Sequence, residues 1–362
     1  MPEKAYLVLA NGTVFEGYSF GAVGEVVGET VFTTGMTGYL ETLTDKSYYG
    51  QIITQTFPLI GNYGVIPADF ESPATAAKGY IVKEWCQVPS NFRSEGTLDA
   101  FLKEQGVVGI YGIDTRRLTK IIRENGVMNG KITNIKPDGV SDDVKNYAII
   151  DAVKNCSTTE RYVVPPQGAP CGLRVALLDF GLKGNIVKSL TSRGIEVTVF
   201  PYNATAQEII DFAPDGIMLT NGPGDPRSAE NQPIIDTLKT LITKNIPIFG
   251  ICFGNQLLAL THGFKIEKLK YGHRGANQPA KDLTSGKTHI TCQNHGYAVV
   301  SDSIDPAVAE EWFVNVNDGT NEGVMYKKAP IFSVQFHPES CGGPQDTSWL
   351  FDNFVEKMEG NK

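Results

Sequence analysis

RVALLDFG (174–181), IEVTVF (195–200), GIMLT (216–220) and PIFGIC (247–252) are short apolar runs separated by more polar segments. Runs of this length, rich in Val and Ile, suit strands buried on both faces. The intervening and following segments 184–192, 205–212, 231–244 and 254–261 carry helical periodicity. Strand–helix alternation on this scale predicts a parallel sheet with helices on both faces. Ligands of such sheets bind beyond the carboxyl ends of the strands. Attention therefore falls on 221–226, 250–256 and 335–339, each of which follows an apolar run.

Upstream the pattern differs. Residues 5–10 and 13–15 read as two strands joined at Asn11-Gly12, a hairpin signal. From Gly17 to Gly64, frequent glycines separate short β-branched and aromatic runs such as 29–33 and 51–56. Residues 97–105 and 114–125 read as helices, the second opened by Asp114 and Thr115 and closed at Asn125-Gly126. The fold class expected is α/β: an N-terminal mixed α+β domain over 1–160, a Pro/Gly-rich linker over 161–172, and a C-terminal domain over 173–362 with a mainly parallel sheet flanked by helices.

Bulk properties narrow the function. A chain of 362 residues has room for two or three domains, and 41% hydrophobic residues can fill their cores. Lys plus Arg is 32 against 40 for Asp plus Glu, a net charge of −8, and no dense basic run occurs. That balance argues against nucleic-acid binding. The six cysteines (86, 156, 171, 252, 292, 341) show no CxxC spacing, which predicts reduced thiols and neither a disulfide framework nor a zinc site. The five histidines (262, 273, 289, 295, 337) lack metal-ligand spacing, so no metal is expected. The N-terminal segment does not read as a signal peptide, and no apolar stretch approaches the length of a membrane span. The expected location is the cytoplasm.

Chemistry concentrates in Gly250-Ile251-Cys252-Phe253-Gly254. A strand enters and a helix leaves, the arrangement of a nucleophile elbow with Cys at the reactive position. Glycines on both sides permit a sharp turn. At a helix N-terminus the dipole and free N–H groups suit a nucleophilic sulfur, and the Phe253 amide can face the oxygen of a tetrahedral intermediate. Taken alone, a cysteine beside a helix is more often a buried structural residue. Gln335-Phe336-His337-Pro338-Glu339 follows the strand-like run 331–336, so His337 emerges at a strand end as a base and Glu339 can fix its tautomer. A strand-end histidine by itself is more often structural. Asn221-Gly222-Pro223-Gly224-Asp225-Pro226 makes a stiff turn whose amides can hold an oxygen, or else is a plain strand-to-helix loop. Neither GxxxxGK[ST] nor GxGxxG is present, so no phosphate loop is expected.

Together these segments resemble the class I glutamine amidotransferases. Their nucleophile motif G-x-C-x-G-x-Q is complete in Gly250, Cys252, Gly254 and Gln256, in company with His-Pro-Glu and Asn-Gly-Pro-Gly-Asp-Pro. Residues 15–64 and 114–130 further resemble the N-terminal domain of the carbamoyl phosphate synthase small-subunit family, so the similarity spans nearly the whole chain. The resemblance implies a glutaminase: Cys252 attacks the side-chain amide of L-glutamine, His337 shuttles protons, and Glu339 orients His337. Water then resolves a γ-glutamyl thioester. It further implies glutamine contacts at Ser47, Gly222, Gly224, Phe253, Gln256, Asn294, Gly296 and Tyr297, with Ser47 drawing the site toward the domain interface.

The implied partner is a large synthetase subunit that receives ammonia by a tunnel and carries ATP and Mg, with no cofactor in this chain. Further assembly of the heterodimers is left open, as is the choice between arginine and pyrimidine synthesis. Three departures stand out: Phe253 for a frequent Leu, Asn255 for a frequent His, and Arg274, Gln278, Cys341 and Gln345 in the segments 272–279 and 337–346. His295 is expected to wall the site; Cys292 and Cys341 are expected to be non-catalytic, and His262, His273 and His289 to be surface or packing residues. A stand-alone thiol hydrolase would not need the N-terminal domain, and a non-enzymatic scaffold would not need Cys252, His337 and Glu339 together.

Overall fold

In the computed structural model, which describes residues 3–340 and 342–361, the chain divides into two compact units, Met1–Ala152 and Val153–Lys362. Cys341 lies outside the described residues.

The amino-terminal unit is built on a closed barrel of β1 (Lys4–Leu9), β2 (Val14–Gly21), β3 (Val26–Thr33), β4 (Gln51–Gln55), β6 (Gly79–Val82), β8 (Val108–Tyr111) and β9 (Met128–Thr133), with a two-stranded ribbon of β5 (Leu59–Ile60) and β7 (Glu84–Trp85). The order around the barrel is β1-β2-β8-β6-β4-β3-β9. Closure leaves no open edge in the barrel, which suits its many short strands. The β1–β2 hairpin turns at Gly12, where φ is 85°. Helices α1 (Tyr39–Leu43), α2 (Leu98–Glu104), α3 (Thr115–Asn125) and α4 (Asp142–Asn146) complete this unit. The Asp114 side chain caps α3 by accepting from the Arg117 amide at 2.9 Å, and Gly126 (φ 90°) ends it, as its sequence signals imply. Leu40, Tyr80, Leu98 and Leu102 belong to the apolar core beneath α1 and α2.

After α5 (Ala152–Cys156), the second unit alternates as expected: β11 (Arg174–Asp179), α6 (Gly184–Thr191), β12 (Glu196–Pro201), α7 (Ala206–Phe212), β13 (Gly216–Leu219), α8 (Gln232–Leu241), β14 (Ile248–Ile251), α9 (Phe253–Thr261). The sheet is wider than those repeats. It has ten strands, ordered β10-β12-β11-β13-β14-β19-β18-β17-β15-β16. The additional members are β10 (Tyr162–Val164), β15 (Ile266–Asp282), β16 (Thr288–Val299), β17 (Ala309–Asn315), β18 (Asn321–Tyr326) and β19 (Ile331–Val334). The run β12-β11-β13-β14-β19 is parallel, and antiparallel strands extend it on both sides. Residues 162–164, inside the stretch expected as linker, pair with Val197–Val199 of β12: their aromatic and β-branched side chains favour an edge strand despite the Pro and Gly that follow.

Alternation along the parallel strands makes two cores. Ala176, Leu178, Ile217 and Leu219 face Ile209, Leu238 and Leu257 of α7, α8 and α9. Val175, Leu177, Met218 and Phe249 face Ile186 and Leu190 of α6 and Phe351 and Phe354 of α10 (Trp349–Glu359). With both faces covered, every residue of β13, β14 and β19 is buried. That rigid centre sets the position of whatever follows the strands.

Candidate active site

The parallel register brings the chemistry together. Ile251, the last residue of β14, pairs with Val334, the last of β19. Cys252 and the 335–337 segment therefore leave the same edge of the sheet on neighbouring strands, and the Cys252 amide donates to the Val334 carbonyl at 2.8 Å. Cys252 sits at φ 54°, ψ −99°, a left-handed backbone that a non-glycine residue tolerates only when its surroundings enforce it. The flanking glycines supply that enforcement. A Cβ on Gly254 would lie 2.5 Å from the Leu219 carbonyl oxygen, and one on Gly250 would lie 2.9 Å from Gly254 main chain. Both must be glycine for β13, β14 and α9 to approach closely enough to make the turn. α9 begins at Phe253, so Cys252 occupies its N-cap position.

His337 and Glu339 form a buried pair, with Nδ1 2.6 Å from a Glu339 carboxylate oxygen. That contact directs the N–H of Nδ1 to Glu339 and turns Nε2 toward the remainder of the site. Nε2 makes no hydrogen bond among the described residues. Burial and the Lys183 ammonium both work against a charged His337, yet Glu339 and the Cys252 sulfur outweigh them and push it up to about 10. Burial also works against charge on Glu339, but the His337 cation and Lys183 hold its carboxyl below the usual range. Lys183, at the N-cap of α6, was not singled out in the sequence; nothing local marks it, because its influence arises from the packing of α6 beside the site.

The remaining expected residues are distributed as follows. The Cys252 thiol lies 3.8 Å from the Asn294 carbonyl oxygen. Gln256 donates from Nε2 to the Tyr297 carbonyl at 2.9 Å and to Gln335 Oε1 at 3.0 Å. Gly222 packs between Phe180 and Phe253, where an added Cβ would meet the Phe180 carbonyl oxygen at 2.8 Å. Gly224 adopts φ 87° in the same turn, and Asn221 braces that turn by donating to the Gly181 carbonyl at 2.8 Å. Gly296 lies between Asn294 and Tyr297 on β16, and the Tyr297 ring is covered by the Arg227 guanidinium at 5.2 Å. Ser47 is in the amino-terminal unit, in a single 3-10 turn whose Asp45 side chain accepts from the Ser47 amide.

Asn255, where a His is frequent, joins a buried polar network in which Gln335 Nε2 has no partner among the described residues. Asn255 accepts from the Ser333 hydroxyl at 2.7 Å and donates to Gln335 Oε1 at 3.2 Å. His295, expected to wall the site, is buried: Nδ1 meets the Tyr297 carbonyl at 2.8 Å, and burial, reinforced by the His273 charge, keeps the ring neutral. His273 departs from its expected surface or packing role. It is buried in an ionic cluster with Glu322 and Asp318. His273, His295 and Glu322 bring one potential metal-ligating atom each to within 4.8 Å of one another, although their sequence spacing gives no metal signature. Among the described residues no helix is long and apolar enough to cross a membrane.

Each of the two units matches a known family. Residues 7–132 match the family described as "Carbamoyl-phosphate synthase small chain, CPSase domain", and 176–357 match "Glutamine amidotransferase class-I". The carbamoyl phosphate synthase small chain of Clostridium perfringens is 50% identical over 98% of this chain and 99% of its own length. That of Fusobacterium nucleatum is 50% identical over 98% of each chain, and that of Bacillus caldolyticus 47% identical over 97% of this chain and 96% of its own. A two-part match at this identity leaves no room for a free hydrolase that merely shares the fold. The chain belongs to the carbamoyl phosphate synthase small chain family, with the glutamine-hydrolysing activity of that enzyme carried by its class I amidotransferase domain.

Proposed function

We propose that Cys252, His337 and Glu339 carry out this hydrolysis. The observation that carries the assignment is the strained Cys252 elbow placed beside a buried His337–Glu339 pair at the ends of adjacent parallel strands. The thiol proton passes to His337, where Glu339 holds it. The sulfur attacks the amide carbon of glutamine, forming a C–S bond and an oxyanion that faces the Phe253 amide. His337 returns the proton to the departing nitrogen, the C–N bond breaks, and ammonia leaves a γ-glutamyl thioester. Water, activated by His337, cleaves the C–S bond to release glutamate and restore the thiol.

Glutamine is held by Gly222, Gly224, Phe253, Gln256, Asn294, Gly296 and Tyr297. Ser47 joins this set through its correspondence with the family alone. Gln256 contributes indirectly by fixing the Tyr297 carbonyl. A small chain implies a large-subunit partner. We assign ATP, Mg and bicarbonate chemistry to that subunit, with ammonia reaching it through an internal passage, and we place the complex in the cytoplasm.

Coupling is tested by measuring ammonia release from glutamine with and without the large subunit, ATP and bicarbonate. The small chain alone is expected to be slow, because a coupled glutaminase gains its active arrangement from the partner. Equal rates for the isolated chain and the complex would remove the coupling.

A further inference from the structure

The cluster around His273 lies outside the relay and suggests a role that the proposed mechanism does not use. Its members come from separate elements: His273 on β15, His295 on β16, Asn315 on β17, Asp318 in the turn after it, and Glu322 on β18. His273 Nδ1 is 3.2 Å from Glu322 Oε1 and Nε2 is 2.8 Å from Asp318 Oδ2. The Asp318 carboxylate, held below its usual range, accepts from Nε2, and the two carboxyl groups together hold the His273 imidazole above its usual value against its burial. Glu322 is fully buried and Asp318 half-exposed. Burial pushes the Glu322 carboxyl up, and His273 and Asn315 oppose that shift.

The cluster is tied to both halves of the proposed site. His273 pairs across the strands with His295, and Arg274 with Asn294. A Cβ on Gly272 would come within 2.4 Å of the His295 carbonyl oxygen, so β15 and β16 have no slack at this point. Glu322 Oε2 is 3.9 Å from His295 Nε2, and His295 Nδ1 binds the Tyr297 carbonyl. On the other side, the Glu322 main-chain carbonyl accepts from the Gln335 amide at 2.9 Å, two residues before His337. Glu322 thus meets the histidine segment through its backbone, while the His273 ring packs edge-on against the His295 ring at 5.0 Å between centroids and so touches the 294–297 segment.

We propose that His273, clamped between Asp318 and Glu322, is a positioning residue that holds the 294–297 segment in its glutamine-binding geometry. This rests on the reading that 294–297 contacts glutamine. The alternative occupant of the cluster is a metal ion on His273, His295 and Glu322. The hydrogen bonding favours a proton. Both His273 nitrogens already face carboxyl groups, and Glu322 Oε1 is already taken up by Asn315 Nδ2, which donates to it at 3.2 Å.

The test uses the complete enzyme with its large subunit and compares glutamine-dependent with ammonia-dependent carbamoyl phosphate synthesis. His273→Asn is expected to raise the KM for glutamine about tenfold, with kcat at saturation within about twofold and the ammonia-dependent rate unchanged. Adding Glu322→Gln to that variant should recover part of the loss, since no buried carboxyl group is then left without its imidazole partner. Asp318→Asn is a milder second variant, because Asp318 is half-exposed, and should raise KM about threefold. A purely structural role would lower kcat by unfolding a fraction of the enzyme and leave KM alone; that result overturns the proposal. So does unchanged KM in both single variants, or stoichiometric zinc in the purified wild type. Gln256→Ala separates the two levels of argument. If KM rises in Gln256→Ala but not in His273→Asn, the positioning role fails alone; if it rises in neither, the glutamine-site reading fails with it.

Discussion

Replacing Cys252 by Ala should abolish glutamine-dependent carbamoyl phosphate synthesis while sparing synthesis from free ammonia. The glutamine-dependent rate is expected to fall by about 10⁴-fold or more, the scale seen when a covalent nucleophile is removed. None of the other described thiols is placed to take over its role. Among the described cysteines, Cys252 alone combines an elbow glycine on each side, a left-handed backbone and an N-cap position on a helix of nine residues. Cys292 is on β16, where its carbonyl accepts from the His337 amide at 2.9 Å, and it follows no strand-to-helix turn. Since the mutation deletes one sulfur and adds nothing, the fold and the docking of the large subunit should survive it. Parallel assays with glutamine and with ammonium salts on the same preparation check both parts. A variant that lost both activities would indicate a structural role for Cys252, and one that kept both would remove the nucleophile.

Changes to the His337–Glu339 pair should be smaller and should depend on pH. His337→Asn is expected to lower the glutamine-dependent rate by about 10²–10⁴-fold, the usual contribution of a positioned acid–base. Glu339→Gln belongs at the low end of that range, about 10²-fold, because the amide keeps the shape but loses the charge that holds the imidazolium. The sign of the pH effect follows from the raised value. The His337 pKa rises from an ordinary 6.5 to about 10 in the folded chain. Its contribution to stability is therefore fully present below 6.5, declines across the interval and is lost as pH rises through about 10. Glu339 acts in the opposite sense: its lowered carboxyl contributes above 4.5 and loses that contribution as the pH falls through its folded value. Denaturation midpoints measured from pH 6.5 to 10 should fall more steeply for wild type than for Glu339→Gln. Parallel slopes in the two proteins would contradict the assigned ion pair.

The parts of this architecture that could be read in advance are those in which local and global preferences coincide. The parallel centre is composed of short apolar runs because it is buried on both faces, so composition alone marks β11, β12, β13 and β14. The elbow is equally visible, since its glycines are demanded by contacts with Leu219 and with α9. The antiparallel extension is less legible. β15 is 17 residues long, largely polar, and interrupted by two register shifts, so it shows neither clean alternation nor an apolar run. The bounds of the linker were obscured for a related reason: Tyr162, Val163 and Val164 stand beside a Pro/Gly-rich stretch yet pair with β12. The His273 cluster could not be inferred, because Asp318 and Glu322 reach it only through the folding of β17 and β18. Lys183 is silent for the same reason. Its charge acts on His337 across space, and a lysine at the start of a helix carries no signal of that.

The central claim is that glutamine passes through a covalent adduct on Cys252. It is tested most directly by quenching the complete enzyme in acid during turnover of isotopically labelled glutamine, digesting it, and locating the label. The account predicts label on the peptide containing Cys252, sensitive to hydroxylamine as a thioester should be, and absent from Cys252→Ala. Label on another residue, or glutamine-dependent turnover with no covalent label in wild type under conditions where the thioester is stable, would contradict it.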